Sequence, residues 1–412
     1  MLNICKIAVR NLMRYKRRTL LTASLVAIGV MFVLVFIAVS GSFKNMMTGQ
    51  ITDSFLGHIQ IHKKGYVASI DNLPLTMTLG PNAYGKIEKA IQEIPDIEAY
   101  SKRIKFGGMF SNFVETTNVR LNGVHPEDEV KTVPLFLSRV KEGEQAIRTG
   151  EILVPELLAK GMKVKVGDTV VVIATNKDGS VNGKQFRVGG ILESATGPGG
   201  RDGYIHIDDA REVLRMDTME ISEIAIRLKD FDKLHEVSGQ LNNRLSGEVN
   251  KQGKPAFEVH TWEKLSPFYN IARMIDIMTF FVKLMLIAIV LISIMNVMVM
   301  AVYERVREIG TIAAIGTLPG KIVAMFLIEG FSLGFFGAVV GGILGVAVIS
   351  ILNVAKLTFN FGRQKGLLLS PSINLPDILV ISIIVITISV MASLQPAYKA
   401  SRMNPIDALG HV

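Results

Sequence analysis

Long apolar segments alternate with one large polar block along the chain. Four segments stay apolar over enough residues to cross a hydrocarbon core about 30 Å thick, which takes roughly 20 helical residues. They cover residues 19–43, 274–302, 321–352 and 375–394. The pattern predicts an α-helical membrane protein with four transmembrane helices. Residues 44–273, between the first two spans, are numerous enough to bury a core and fold as a separate domain.

The polar block shows the same order of elements twice. Period-two alternation predicts strands, and helical spacing predicts one helix between each pair of strands. The first strand–helix–strand set covers residues 57–65, 84–94 and 97–106, and the second covers residues 221–228, 231–245 and 256–261. We expect these two β-α-β units to pack together.

A segment with a different sequence pattern separates the two units. Residues 115–215 contain short β-rich runs divided by Gly, Asp and Asn turns, which predicts a small antiparallel sheet inserted into the first unit. The predicted fold class is therefore four transmembrane helices plus a large extracytoplasmic α+β domain. That domain consists of two β-α-β units with an inserted β-rich module.

The basic residues indicate how the chain is oriented. The formal net charge is +9, but Lys and Arg cluster beside the ends of the spans, which argues against a nucleic-acid partner. Residues 1–18 are basic and contain no acid, so the positive-inside bias places the N-terminus in the cytoplasm. Four spans return the tail, residues 395–412, to the cytoplasm and leave residues 44–273 and the loop 353–374 outside.

The first 18 residues have the spacing of an amphipathic helix. Apolar side chains fall on one face, and the opposite face carries Lys6, Arg10, Arg14 and Arg17. We predict a cytoplasmic helix in the membrane interface, its basic face toward anionic headgroups of membrane lipids. The alternative is a solvated basic leader that only sets topology.

A short charged segment, YERVREIGTIAAIGTLPG at residues 303–320, lies between the second and third spans. Residues 271–309 contain no Pro or Gly, which predicts that the second span continues through them as one helix. A polar segment held between two spans moves when they move. Residues 303–320 are therefore a place at which a soluble partner could push.

The third span, residues 321–352, carries one acid and many glycines. Glu329 at mid-membrane would cost about 2.5–3.5 kcal/mol, so it must face protein, water or the inner interface. It is either a partner-pairing or conformational-switch residue, or it lies only about 10 Å deep and reaches the headgroup zone. Four-residue spacing of glycines allows close helix packing. The glycines at issue are Gly330, Gly334, Gly337, Gly341 and Gly345.

The sequence lacks the motifs of an enzyme. Residues 316–322, GTLPGKI, have a phosphate-loop look but the wrong spacing, with Ile where Ser or Thr would hold magnesium. His58 and His62 have no neighbours that complete a metal set, and no catalytic arrangement is evident. We predict that this chain is not an enzyme and binds no cofactor or metal.

Three features together resemble a known family. The motif ERVREIGTIAAIG, the glycine-rich span with an early Glu and the C-terminal PAYKASRMNPIDAL are similar to the permeases of the MacB/FtsX/LolC–LolE class of ABC transporters. The matching features cover nearly the whole chain. The resemblance implies a dimer, with a second copy or a related permease, and cytoplasmic ABC ATPase subunits that hold ATP and Mg. One departure is Ala313, where the family often has a basic residue.

The same resemblance implies roles for particular residues. The segment 303–320 would be the coupling helix that docks on the ATPase, and the outer domain would contain a porter-like part. The coupling role falls on Tyr303, Glu304, Arg305, Arg307, Glu308, Ile309, Gly310 and Gly316.

The expected function is transmission of ATP-driven motion to the outer domain, in the bacterial inner membrane with both termini cytoplasmic. GHIQIHKKGY at residues 57–66 and the compact length look most like the lipoprotein-releasing branch, with lipoprotein cargo and a periplasmic carrier as further partners. MacB-like efflux of small molecules or peptides and an FtsX-like regulatory relay to the cell wall remain alternatives.

Overall fold

The computed structural model describes residues 10, 14, 16–194, 201–250, 253–361 and 364–404. The chain forms two compact units. One contains residues 1–45, 273–359 and 367–412, and the other contains residues 46–272 and 360–366. Most of the predicted interfacial helix, including Lys6, lies outside the described residues. Arg10 and Arg14 have helical backbone, and Arg17 belongs to the first long helix.

Helices and strands are numbered here in chain order. The helices are α1 Lys16–Ile51, α2 Pro81–Gln92, α3 Pro126–Thr132, α4 Glu156–Gly161, α5 Ile207–Val213, α6 Leu234–Leu245, α7 Trp262–Leu265, α8 Tyr269–Glu304, α9 Val306–Ala314, α10 Pro319–Val354 and α11 Leu375–Ser401. The strands are β1 Ile59–Lys63, β2 Ile97–Ser111, β3 Thr116–Val124, β4 Val140–Gly143, β5 Glu151–Pro155, β6 Thr169–Thr175, β7 Val181–Leu192, β8 Gly203–His206, β9 Glu223–Leu228, β10 Phe257–Thr261, β11 Thr358–Phe361 and β12 Gln364–Leu368.

Among the residues that the structure describes, four helices are long and apolar enough to cross a membrane: α1, α8, α10 and α11. Each is longer than the predicted apolar segment because the helix continues beyond that segment at one or both ends. The prediction that one helix continues through Ile309 is wrong. Arg305, at φ −115° and ψ 14°, leaves the helical region, so α8 ends at Glu304 and α9 is separate. No Pro or Gly causes this break, and the contacts of the Arg305 side chain account for it below.

The two predicted β-α-β units form one sheet. Their strands alternate in the order β10–β1–β9–β2, with antiparallel neighbours throughout. Helices α2 and α6 supply the two crossovers. This is the split β-α-β arrangement, in which each unit contributes every second strand. Because the strands interleave, each unit needs the strands of the other to complete its hydrogen bonding. The arrangement confirms the predicted α+β class.

The inserted module continues the same sheet. Strand β2 is 15 residues long, and its second half pairs with β3 and β6. The expectation of an antiparallel module is wrong, since β3 pairs with β8 and β5 pairs with β7 in parallel. Parallel neighbours need long crossover connections, and the chain supplies them through α3, α4 and the strands between. The loop 353–374 likewise contains a β11–β12 pair that the sequence did not predict.

A buried ion network joins the sheet to α3. Arg103 Nη2 lies 2.8 Å from Glu129 Oε1, and Arg103 Nη1 lies 3.0 Å from Glu223 Oε1. Lys105 Nζ lies 3.0 Å and His62 Nε2 lies 3.3 Å from Glu223 Oε2. Burial alone would raise the pKa of Glu223, but attraction to Lys105, the His62 hydrogen bond and Arg103 outweigh it and lower that pKa. The network spans positions 62–223, so sequence spacing gave no sign of it.

Candidate functional site

The segment 303–320 forms a short helix between two long ones. Helix α9 follows α8 after a single non-helical residue and is followed by a turn at residues 315–318. Gly316 adopts φ +91°, a left-handed conformation that side chains with a Cβ rarely tolerate. Pro319 occupies the first turn of α10, where its missing N–H costs no hydrogen bond. Local sequence therefore fixes where the segment turns back toward the third span.

One face of α9 is buried in its own unit. Arg305, Val306, Ile309 and Gly310 are buried, and they follow the three- and four-residue spacing of one helix face. Ile309 belongs to the apolar core formed by the long helices. Three of the predicted coupling residues, Arg305, Ile309 and Gly310, thus face inward.

The inward face is held by a buried ion pair. Arg305 Nη1 donates a hydrogen bond to Glu329 Oε1 at 2.9 Å, and the two side chains are 6% and 4% exposed. The Arg305 guanidinium also lies 5.9 Å from the centroid of the Phe326 ring, one turn before Glu329 on α10. Glu329 is therefore paired with a cation of the same chain. Arg305, the non-helical residue between α8 and α9, thus directs its side chain toward α10.

The ion pair extends toward the N-terminus. Arg305 Nε donates to Glu308 Oε2 at 3.2 Å, and Arg14 Nη1 donates to Glu308 Oε1 at 2.8 Å. Four charged side chains of alternating sign therefore run from the first helical stretch through α9 to α10. The Arg305–Glu329 end is buried, whereas Arg14 and Glu308 are 65% and 42% exposed. The network joins α9 to α10 and to Arg14, which precedes α1.

The outward face of the segment is partly apolar. Tyr303, Glu304, Arg307 and Gly316 are exposed. Ile315 and Leu318 on either side of the turn are 80% and 64% exposed. The sequence analysis missed these two side chains, although an Ile–Gly–Thr–Leu turn between charged helix and span is a visible signal. Exposed charge beside an exposed apolar tip is suited to contact with another protein.

The glycines of α10 face two different helices. A Cβ on Gly330 would lie 2.8 Å from the Cβ of Ser393, and one on Gly334 would lie 2.6 Å from the Cβ of Ser389 on α11. The other three glycines face α1. A Cβ on Gly337 would lie 2.8 Å from the Cβ of Val26, and one on Gly341 would lie 2.7 Å from the Cβ of Val30. A Cβ on Gly345 would lie 3.3 Å from the Cβ of Leu34. Small residues let α10 pack closely between α1 and α11.

The remaining candidates make structural contacts. The backbone N–H of Leu228 donates to His58 Nδ1 at 3.1 Å, and His62 contacts Glu223 in the outer-domain network. Within the described ranges, no cluster of three or more His, Cys, Asp or Glu side chains is placed to hold a metal ion. Arg10 and Arg17 are exposed.

Comparison with known proteins identifies the family. The family model described as MacB-like periplasmic core domain matches residues 19–244, and the model described as FtsX-like permease C-terminal matches residues 280–405. The lipoprotein-releasing system transmembrane protein LolC of Neisseria meningitidis is 24% identical over 414 residues, covering 95% of this chain and 93% of that protein. LolC of Xylella fastidiosa strain Temecula1 is 25% identical over 308 residues, covering 70% and 72%.

A solved structure is also similar. The periplasmic region of MacB from Actinobacillus actinomycetemcomitans is 12% identical and covers 51% of this chain and 91% of that one, at a TM-score of 0.34. That score is too low to support an argument. The match over residues 19–244 covers more than half of the 412-residue chain. The chain therefore belongs to the family of FtsX-like ABC transporter permeases with a MacB-like periplasmic core domain.

Proposed function

We propose that the chain transmits ATP-driven motion from a cytoplasmic ABC ATPase to its MacB-like domain and thereby releases lipoproteins from the bacterial inner membrane. The observation that carries the coupling role is the division of the 303–320 segment into two faces. Arg305 and Ile309 fasten it to the long helices, while Ile315, Leu318 and Arg307 are exposed. A partner that pushes the exposed face would displace the spans as well.

The proposed route of the motion is based on how the chain connects α9 to the rest of the protein. Helix α8 is unbroken from Tyr269 to Glu304, and it connects α9 to the folded domain that precedes it in sequence. Helix α10, fastened by Glu329, is the second element that would move with α9. The topology that places residues 303–320 in the cytoplasm is the one proposed from the basic N-terminus, with both termini cytoplasmic. ATP and Mg would be held by the partner, not by this chain.

The cargo proposal rests on the relatives. Proteins named as lipoprotein-releasing match 70–95% of this chain, which favours lipid-anchored cargo passed to a periplasmic carrier. The test is reconstitution with the ATPase, a second permease copy or a related permease, and a triacylated lipoprotein. Release to a soluble carrier that requires ATP supports the proposal. No release with any permease combination would refute the cargo assignment.

A second candidate function is efflux. The family model matched by residues 19–244 is named for MacB, which favours expulsion of small molecules or peptides from the outer compartment. The same reconstituted complex distinguishes the two functions. Stimulation of ATP hydrolysis by a small amphiphile, without lipoprotein release, would support efflux.

A further inference from the structure

A groove separates the last turns of α8 and α11, both within the helical unit. It encloses about 190 Å³, and its lining includes Met295, Val299 and Tyr303 of α8 and Gln395, Pro396 and Lys399 of α11. The three α8 residues recur every fourth position, as do Gln395 and Lys399, so each set forms a stripe along its helix. Neither the coupling network nor the glycine packing uses this groove.

The groove changes character along its length. Met295 and Val299 provide an apolar wall within the stretch of α8 that is apolar enough to lie in a membrane. Toward the helix ends, Tyr303 and Lys399 replace them. The order is therefore apolar in the interior and polar at the end, which is the order of groups in a phospholipid.

The polar end is cationic. Lys399 Nζ donates a hydrogen bond to the Tyr303 hydroxyl at 3.3 Å and lies 5.6 Å from the centre of that ring. One turn later, the Arg402 guanidinium lies 4.5 Å from the centre of the Tyr398 ring. Both cations are exposed. The ammonium of Lys399 and the hydroxyl of Tyr303 are both able to donate to one phosphate oxygen.

We propose that this groove binds one anionic phospholipid of the leaflet that meets residues 303–320. The acyl chain lies along Met295 and Val299, and the phosphate contacts Lys399 and Tyr303. Basic pockets between membrane helices recognise anionic headgroups in this way. A lipid seated here contacts Tyr303 directly, at the junction of α8 with the coupling segment. The proposal depends on the membrane location of α8 and α11 and not on the cargo.

The test uses the purified full-length chain in detergent and native mass spectrometry. Phosphatidylglycerol and phosphatidylcholine with identical acyl chains are titrated separately. We expect one molecule of phosphatidylglycerol to bind more tightly than phosphatidylcholine. One lysine near an anionic headgroup changes affinity about fivefold, so Lys399→Gln should weaken phosphatidylglycerol binding about fivefold. It should weaken phosphatidylcholine binding less, because the choline ammonium offsets the charge of the phosphate that both lipids carry. Val299→Trp, which fills the apolar wall, should weaken both.

The matched control is Lys321→Gln. Lys321 is exposed at the start of α10, next to the same segment but outside the groove, and this variant should bind both lipids as the parent chain does. Equal weakening by Lys399→Gln and Lys321→Gln would overturn the proposal, because the attraction would then be general surface charge. The proposal would also be overturned if Val299→Trp lowered the fraction of dimer but left lipid binding unchanged. The groove would then be occupied by a second copy of the chain.

Discussion

The buried ion pair between Arg305 and Glu329 provides the sharpest test of coupling. We predict that Glu329→Gln uncouples ATP hydrolysis from transport. The substitution keeps the size of the side chain but removes the buried anionic partner of the Arg305 guanidinium, which is 6% exposed, and leaves the partly exposed Glu308 as its remaining carboxylate. Removing one member of a buried pair costs about 3–5 kcal/mol. At about 1.4 kcal/mol per factor of ten, the fastened arrangement of α9 becomes roughly 100-fold or more less favourable.

The exposed surface that would meet the ATPase is unchanged by this substitution. We therefore expect association with the ATPase to change less than about threefold, a shift worth no more than a surface ion pair. Cargo released per ATP hydrolysed should fall at least about tenfold, the change that 1.4 kcal/mol produces. The assay is the permease–ATPase complex in proteoliposomes, with phosphate production and release measured in the same sample.

Two further variants make the result interpretable. Arg14→Gln removes the exposed end of the same network, where the two partners are 65% and 42% exposed, and exposed pairs contribute about 0–1 kcal/mol. It should leave release per ATP within about fivefold, the largest change that about 1 kcal/mol implies. The exchanged pair Arg305→Glu with Glu329→Arg should recover part of the lost coupling. Equal behaviour of Glu329→Gln and Arg14→Gln would refute the reasoning.

Three other predictions follow from the packing. Gly334→Ala should lower the midpoint of thermal unfolding, because the added Cβ would lie 2.6 Å from the Cβ of Ser389 and overpacking costs about 1–3 kcal/mol. The control, Gly342→Ala, should not lower the midpoint, because its Cβ would meet the nearest atom at 3.9 Å. Ile315→Asp should weaken pull-down of the ATPase at least about tenfold, as loss of one buried side chain worth about 1.5–3 kcal/mol implies, without changing thermal stability. Arg103→Met should lower the unfolding midpoint reported by the fluorescence of the single Trp, because it removes the guanidinium that pairs with buried Glu129 and Glu223 and breaking a buried pair costs about 3–5 kcal/mol. The same change at exposed Arg148 should have no measurable effect.

The helices and strands were predictable from the hydropathy pattern, but the pairing of the strands was not. Apolar length gave all four membrane helices, and alternation gave the strands and helices of both β-α-β units. The interleaving of their strands depends on pairing between residues more than 100 positions apart, such as Ile59 with Ile226. Nothing local in the sequence encodes that pairing.

The candidate site shows the same limit. The residue types and the position between two spans identified 303–320 as a candidate site. The helix break at Arg305 was not predicted, because the side chain that Arg305 contacts, that of Glu329, lies 24 positions away in the sequence. A helix former without Pro or Gly nearby predicts continuation, and tertiary pairing overrides that preference. The exposure of Ile315 and Leu318 depends on which face of α9 packs inward, so the sequence could place them in the segment but not on its outer surface.

The measurement that tests the central claim most directly is the accessibility of a cysteine at position 315. The variant is Ile315→Cys in a Cys5→Ser background, which removes the chain's single native cysteine. A membrane-impermeant maleimide should label inside-out vesicles and not intact spheroplasts, and the bound ATPase should block labelling. Labelling from the outer side, or labelling unaffected by the ATPase, would contradict the account.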